Sequence, residues 1–193
     1  MVHPAKFTSL RIISGTYKGR RLNPPASLPV RPTTDFAREG LFNVLNGMVD
    51  WEQLKALDLF SGTGAVSFEL ISRGVPSVTS VDIERNCVTY ITSTAEQFGM
   101  KGIQAIRSNV FVFIRRIHEK YDFIFADPPY AMQGIADLPE QVLSSGILNK
   151  GGIFVLEHSD KYDFSKNRNF AELRKYGRVH FTFFRVSAGE EEN

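Results

Sequence analysis

Cysteine is nearly absent from this 193-residue chain, with Cys87 the only one. No disulfide can close within the chain and no cysteine-based metal site can form, which fits a reducing cytosol. Histidine is almost as scarce. His3, His118, His158 and His180 are scattered along the sequence, so structural or surface roles are expected of them and no metal is expected. No apolar run approaches the ~18 residues of a membrane span, and Met1 to Ser9 lacks the apolar stretch of a signal peptide. A cytoplasmic location is therefore expected. Internal repeats and low-complexity segments are also lacking. Net charge is only +2, but it is uneven. Residues 1–40 carry seven Lys/Arg against Asp35 and Glu39, a balance of +5, while the remainder stands at −3. A basic end on a mildly acidic body suits a polyanion met at that end, although a solvated charged face gives the same count.

What is present is ordinary for a globular protein: 42% hydrophobic and 23% charged residues, with 16 Phe as the one excess. Length suits one domain with an extension. The pattern divides into a basic extension over 1–53, a main domain over 54–187 and an acidic tail over 188–193. Leu10 to Ile13, a turn at Ser14-Gly15, and Thr16 to Leu22 read as a β-hairpin. A Pro-rich connector follows, and Thr33-Thr34-Asp35 offers N-caps for a helix of about three turns with Ala37, Leu41, Val44, Leu45 and Met48 on its apolar stripe. Arg38 and Asn43 stand off that stripe, and Gly40 within it suggests close packing.

Beyond Leu54, strands and helices alternate. Strands are expected at 57–60, 77–83, 103–107, 121–126 and 152–157. Helices are expected at 65–73, 84–98, 110–119 and 138–145, and a closing hairpin at 170–186. This implies an α/β fold with a doubly wound, mostly parallel, seven-stranded sheet, the last hairpin adding at least one antiparallel strand.

Two stretches carry chemistry. After the strand ending at Ala126 comes Asp127-Pro128-Pro129-Tyr130. In open α/β sheets the carboxyl ends of strands are where ligands bind. The prolines fix φ and donate no N–H, so a stiff segment presents the Asp127 carboxylate and the Pro128 carbonyl to one amino group. Tyr130 can stack on the ring that carries it. An aromatic exocyclic amine is a poor nucleophile because its lone pair is delocalised. Two acceptors on its N–H groups let the nitrogen pyramidalise, so positioning and electrostatics do most of the work. A base treated in this way must be unpaired or flipped out. Glu157-His158 ends the fifth strand near the same edge and is a candidate lining.

The second stretch is Asp58-Leu-Phe60-Ser-Gly62-Thr63-Gly64, which turns from the first strand into a helix. Glycine admits close backbone approach, and the helix N-terminus offers N–H groups. Asp82 follows 20 residues after Gly62, where an acidic residue accepts hydrogen bonds from ribose. Ser67 stands where a dinucleotide fingerprint has its third glycine, and no Lys/His set suits hydride chemistry. An adenosine cofactor with a short charged tail, S-adenosylmethionine, fits better. Ile83, Asn109 and Val110 complete the candidate cofactor set. Asn109 is placed to accept from the adenine amine, or equally to cap the next helix.

These residues resemble the bacterial 16S ribosomal RNA guanine-N2 methyltransferases, the small subunit methyltransferase D family. The matching stretches are Arg11-Ile-Ile-Ser-Gly15, Gly19-Arg20-Arg21-Leu22, Arg31-Pro-Thr-Thr-Asp35, Arg38-Glu39, Leu41-Phe-Asn43, Leu57 to Ala65, the tetrapeptide and Glu157-His158. The resemblance implies a Rossmann-like class I methyltransferase fold and S-adenosylmethionine as donor. It implies a guanine of 16S ribosomal RNA as target, on the small subunit or its assembly intermediate. It places Asp127, Pro128 and Tyr130 at the base and Asp58, Gly62, Gly64 and Asp82 at the cofactor. Pro129, Arg20, Arg21, Arg31, Thr33, Arg38 and Asn43 are the expected RNA-facing set, and a monomer is expected. Two positions depart from the family pattern: Phe36 replaces a basic residue, and Asn109 replaces an Asp. Rival readings are an adenine-N6 nucleic-acid methyltransferase, an RNA-binding protein that kept only the fold, and a methyltransferase acting on protein glutamine.

Overall fold

The computed structural model describes residues 10–28 and 35–187. Seven strands form one sheet: β1 (Lys55–Leu59), β2 (Ser77–Asp82), β3 (Ile103–Arg107), β4 (Tyr121–Ala126), β5 (Leu148–His158), β6 (Phe170–Tyr176) and β7 (Val179–Arg185). Their order is β3-β2-β1-β4-β5-β7-β6. The first five are parallel, β7 runs antiparallel to β5, and β6 antiparallel to β7. β1 and β4 lie centrally and are buried on both faces, as near-continuous apolar strands should be. The strand order reverses between β1 and β4, the place where open α/β sheets bind ligands at their carboxyl edge.

Among the described residues, five α-helices cover the sheet: α1 (Asp35–Leu45), α2 (Ala65–Ser72), α3 (Arg85–Phe98), α4 (Val110–Arg116) and α5 (Leu138–Ser144). α1, α2 and α3 share one apolar layer with Phe123, Phe125, Phe181 and Phe183, and α4 and α5 share the other with Phe154 and Phe184. Several of the phenylalanines thus lie on the two faces of β4, β5 and β7. α2 is buried along its whole length, because α1 and the N-terminal segment cover the side a two-layer packing would leave wet.

Most element boundaries match the sequence pattern. β5 is longer than expected. It begins at Leu148, four residues before the expected start at Gly152, and carries a register shift opposite Tyr121 and Phe123, with the glycine pair Gly151-Gly152 inside the shifted stretch. α4 stops three residues early, at Arg116. The N-terminal hairpin has a single isolated bridge, Arg11 to Arg21. Its connection runs past Ser14-Gly15 to Gly19, with both glycines at positive φ (79° and 81°). The expected tight turn is displaced because Gly15 abuts α2: a Cβ there would sit 1.7 Å from the Ser72 carbonyl oxygen.

Candidate active site

The carboxyl edge of the sheet gathers the ends of β1, β2, β4 and β5. After β1 the chain turns through three left-handed residues, Phe60 (φ 59°), Gly62 (51°) and Gly64 (71°), into α2. Phe60 is the only non-glycine with positive φ among the described residues. For a bulky side chain this is an outlier that its surroundings must enforce, and such residues cluster at functional turns. Its ring meets Phe111 edge-on at 6.3 Å. At Gly64 a Cβ would come 2.7 Å from Ile91 Cγ1, so packing as well as φ demands glycine there. Thr63 is buried in the same turn.

Asp82 ties this loop to β2. The Gly62 N–H donates to its Oδ2 and the Glu84 N–H to its Oδ1, each at 2.8 Å. Each oxygen keeps a second lone pair. Ile83 beside it is 55% exposed, an apolar surface at the same edge. Asp58 lies beneath the loop, 2% exposed. It accepts from the Ser67 hydroxyl at 2.6 Å, and Ser67 Oγ lies 2.6 Å from Ser80 Oγ. Burial, with the Asp82 charge adding to it, pushes the Asp58 carboxyl up to about 7 against the hydrogen bonds from Ser67. Ser67, in place of a third glycine, thus joins α2 to β1 and β2. Asp58, expected at the cofactor, is buried and bonded to Ser67 at the start of α2.

Asn109 takes the capping alternative. Its Oδ1 accepts from the Phe111 and Val112 N–H groups at 2.9 and 3.3 Å, and its backbone carbonyl accepts from Phe113 N–H. Both acceptors are committed to α4, and Val110 is buried in that helix.

β4 ends at Ala126. The Asp127 N–H donates to the Leu59 carbonyl at 3.3 Å, joining the ends of β4 and β1, so the tetrapeptide stands next to the glycine turn. Asp127 is half-buried and Pro128 buried, while Pro129 and Tyr130 are exposed. The Pro129 carbonyl accepts the Met132 N–H at 2.8 Å, closing a turn. The Tyr130 ring is 48% exposed, and its hydroxyl donates to Glu157 Oε1 at 3.3 Å. Glu157 and Asp127 directly follow the register pair Leu156–Ala126. His158 does not line this edge. It is 1% exposed, its Nε2 meets Thr182 Oγ1 at 2.7 Å and its Nδ1 meets the Ser159 carbonyl at 2.8 Å. Phe164 and His180 pack around its ring, and burial holds its pKa down.

The basic extension divides differently from expectation. Arg38 is no RNA-facing residue: it is 0% exposed, because α1 buries it against the hairpin. Its Nη2 donates to the Arg11 carbonyl and, at 2.9 Å, to Asp35 Oδ1. Desolvation lowers its pKa while the Asp35 and Glu69 charges oppose that. Arg20 is exposed but stacks on Tyr17 and on Phe98 (5.4 and 4.9 Å). Phe98 ends the 14-residue α3, about 20 Å from the helix end where Asp82 lies. Arg21 and Asn43 are exposed. Arg31 and Thr33 lie outside the described residues.

Sequence reading missed what holds the hairpin down. Glu69, fully buried on α2, accepts from the Ile13 and Ser14 N–H groups at 2.7 and 3.0 Å and from Arg73 Nε at 2.8 Å. Ser72 accepts from the Tyr17 N–H, and its carbonyl from Thr16 N–H. A carboxylate inside an otherwise apolar helix was the available signal. A concavity of about 430 Å³ along α3 and β3, bordered by Thr92, Glu96, Lys101 and Gln104, contains none of the candidate residues.

Comparison with known proteins gives consistent likenesses. The model of the family described as Conserved hypothetical protein 95 matches residues 10–185. Ribosomal RNA small subunit methyltransferase D of Buchnera aphidicola subsp. Baizongia pistaciae is 29% identical over 159 residues, 81% of this chain and 79% of its own. A solved structure of a hypothetical protein from Thermus thermophilus superposes with a TM-score of 0.80 at 30% identity, over 91% of this chain and 99% of that one. The 16S rRNA N2 methyltransferase RsmC of the same organism, solved with AdoMet and guanosine, shares the fold. Its TM-score is 0.69 at 21% identity, over 92% of this chain and 49% of that one.

Proposed function

The chain belongs to the family described as Conserved hypothetical protein 95, and from that premise we propose that it is an S-adenosylmethionine-dependent methyltransferase acting on the exocyclic N2 of a guanine in 16S ribosomal RNA. One observation carries the reading. The strained glycine turn with Asp82 and the Asp127-Pro-Pro-Tyr130 segment stand on adjacent strand ends, joined by the hydrogen bond from Asp127 N–H to Leu59. A cofactor-type loop and an amine-orienting segment thus share one edge.

The residues fit the cofactor. Asp82 has lone pairs left for ribose hydroxyls, the exposed Ile83 offers an apolar face for a purine, and the turn into α2 presents backbone N–H groups. When bound there, S-adenosylmethionine supplies an electrophilic methyl group on a sulfonium sulfur. The chain's own residues prepare the acceptor. The Asp127 carboxylate and the Pro128 carbonyl take the two amine N–H groups, Tyr130 stacks on the base, and the nitrogen lone pair is freed from the ring. Asp127 needs to be ionised and aimed; the surplus proton leaves after the methyl has arrived. Asn109, with both acceptors committed to α4, leaves adenine recognition to the neighbouring main chain.

The 1–53 extension is the RNA-facing part, with the exposed Arg20 and Arg21 meeting phosphates away from the target base. Sequence specificity then comes from RNA shape and the surrounding particle. We place the reaction in the cytoplasm, carried out by a monomer on the small subunit or its assembly intermediate.

The test uses radiolabelled S-adenosylmethionine with unmethylated small subunits, naked small-subunit RNA and duplex DNA, followed by nucleoside analysis. N2-methylguanosine from the particle with little label in DNA is the expected result. N6-methyladenine, or label on protein, overturns the substrate assignment. Asp127→Ala should still bind the cofactor but lose turnover; retention of more than about a tenth of the rate would place the aiming role below ~1.4 kcal/mol and refute it.

A further inference from the structure

Two acceptors on an exocyclic amine do not say which base carries it, because adenine-N6 and cytosine-N4 present the same group. A third acceptor at the site does. Glu157 is the penultimate residue of β5 and follows Leu156, which pairs with Ala126 at the end of β4, so Glu157 and Asp127 each come directly after one register pair of strands spaced about 4.8 Å apart. Glu157 is 3% exposed, and its Oε1 is covered by the hydroxyl of Tyr130, whose ring is 48% exposed. We propose that Glu157 reads the N1–H of the target guanine, so that the Asp127–Glu157 pair selects guanine over the other amine-bearing bases. The inference rests on the guanine-N2 reading above.

The chemistry of the base edge makes the case. Guanine presents N1–H and an N2–H side by side, both donors. Adenine presents an acceptor, N1, beside its amine, and cytosine likewise presents N3. A carboxylate beside Asp127 therefore completes guanine and opposes the other two with a lone pair against a buried charge. Sites that leave a buried polar group unpaired with the wrong substrate discriminate by as much as ~10⁴-fold. The Tyr130 hydroxyl acts as placeholder. It occupies Oε1 until the base arrives, and as the ring moves to stack on the base, one donor is exchanged for another. The carboxylate is never left bare in the low-dielectric edge.

The experiment maps the methylated nucleotide, then replaces it with 2-aminopurine in reconstituted small subunits. 2-Aminopurine keeps the reactive 2-amino group but has an acceptor at N1. Wild type should transfer to guanine at least ~100-fold faster than to 2-aminopurine. Glu157→Gln, whose amide donates to an N1 acceptor, should bring that ratio within about tenfold while binding S-adenosylmethionine as wild type does. A wild-type enzyme that uses both bases equally well overturns the inference without reliance on any variant. So does a Glu157→Gln enzyme that keeps the wild-type ratio, or one that loses both reactions while its particle and cofactor affinities stay intact. Absence of methylated guanine in wild type removes the underlying reading first, and this inference with it.

Discussion

Substituting Asp58 by Asn should change how stability depends on pH. In the folded protein the Asp58 carboxyl is pushed up to about 7, while in the unfolded chain it titrates near the ordinary aspartate value of ~3.9. Between those values the native state holds a proton that the unfolded state has released. Native stability therefore falls as pH rises through that window and levels off above about 7. A gap of about three pH units, at about 1.4 kcal/mol per unit, corresponds to about 4 kcal/mol across the window. The Asn amide has the same shape, accepts from Ser67 as Asp58 does, and does not titrate. The assay is urea denaturation of both proteins at half-unit steps from pH 4.5 to 8, and the informative quantity is the difference between the two curves. Groups common to both cancel, including His158, whose lowered pKa destabilises the fold as pH falls. The difference should shift in favour of Asp58→Asn by several kcal/mol between pH 4.5 and 7.5. Parallel curves would mean that Asp58 ionises normally and that the dry Asp58–Ser67–Ser80 layer under the loop is wrongly described.

Three further outcomes follow from the packing. Glu69→Ala strips one acceptor from two hairpin N–H groups and from Arg73, so it should destabilise by about 3–5 kcal/mol and speed tryptic cleavage at Lys18 and Arg20; unchanged cleavage would show the hairpin is held otherwise. Gly40→Ala sets a Cβ 2.1 Å from Tyr176 Cε1 and should lower stability by about 1–3 kcal/mol in thermal melts, whereas a rise would show that the Tyr176 ring yields and helix propensity wins. Arg20→Ala with Arg21→Ala should weaken RNA binding and lower the slope of log affinity against log salt by roughly two, with S-adenosylmethionine affinity unchanged; an unaltered slope would remove both from the phosphate contacts.

The fold was legible because its signals are local and repeated. Short strand-like runs between glycine or proline turns marked β1 to β4, and Gly99, left-handed at 65°, closed α3 where its sequence suggested. The tetrapeptide and the glycine turn were legible because stiffness and permissiveness are written in residue type. Partnership across the chain was not. Arg38 reads as a polar residue off an apolar stripe, and only the arrival of the hairpin on α1 turns it into a buried clamp. Glu157 and Asp127 lie 30 residues apart and become neighbours through the β4–β5 register. Asn109 offered two uses with the same spacing, and the helix claimed it.

α2 has one more consequence. Its first turn shapes the glycine loop, and its last turn, through Glu69 and Ser72, grips a segment more than 50 residues earlier in the chain. A boundary drawn at residue 53 on charge and composition is therefore not a seam at which the molecule can be cut. Remove the leading segment and the Glu69 side chain and a run of apolar surface on α2 are uncovered together. The sheet domain and its basic arm cannot be exchanged between relatives as separate modules; a graft has to carry the matching face of α2 with it.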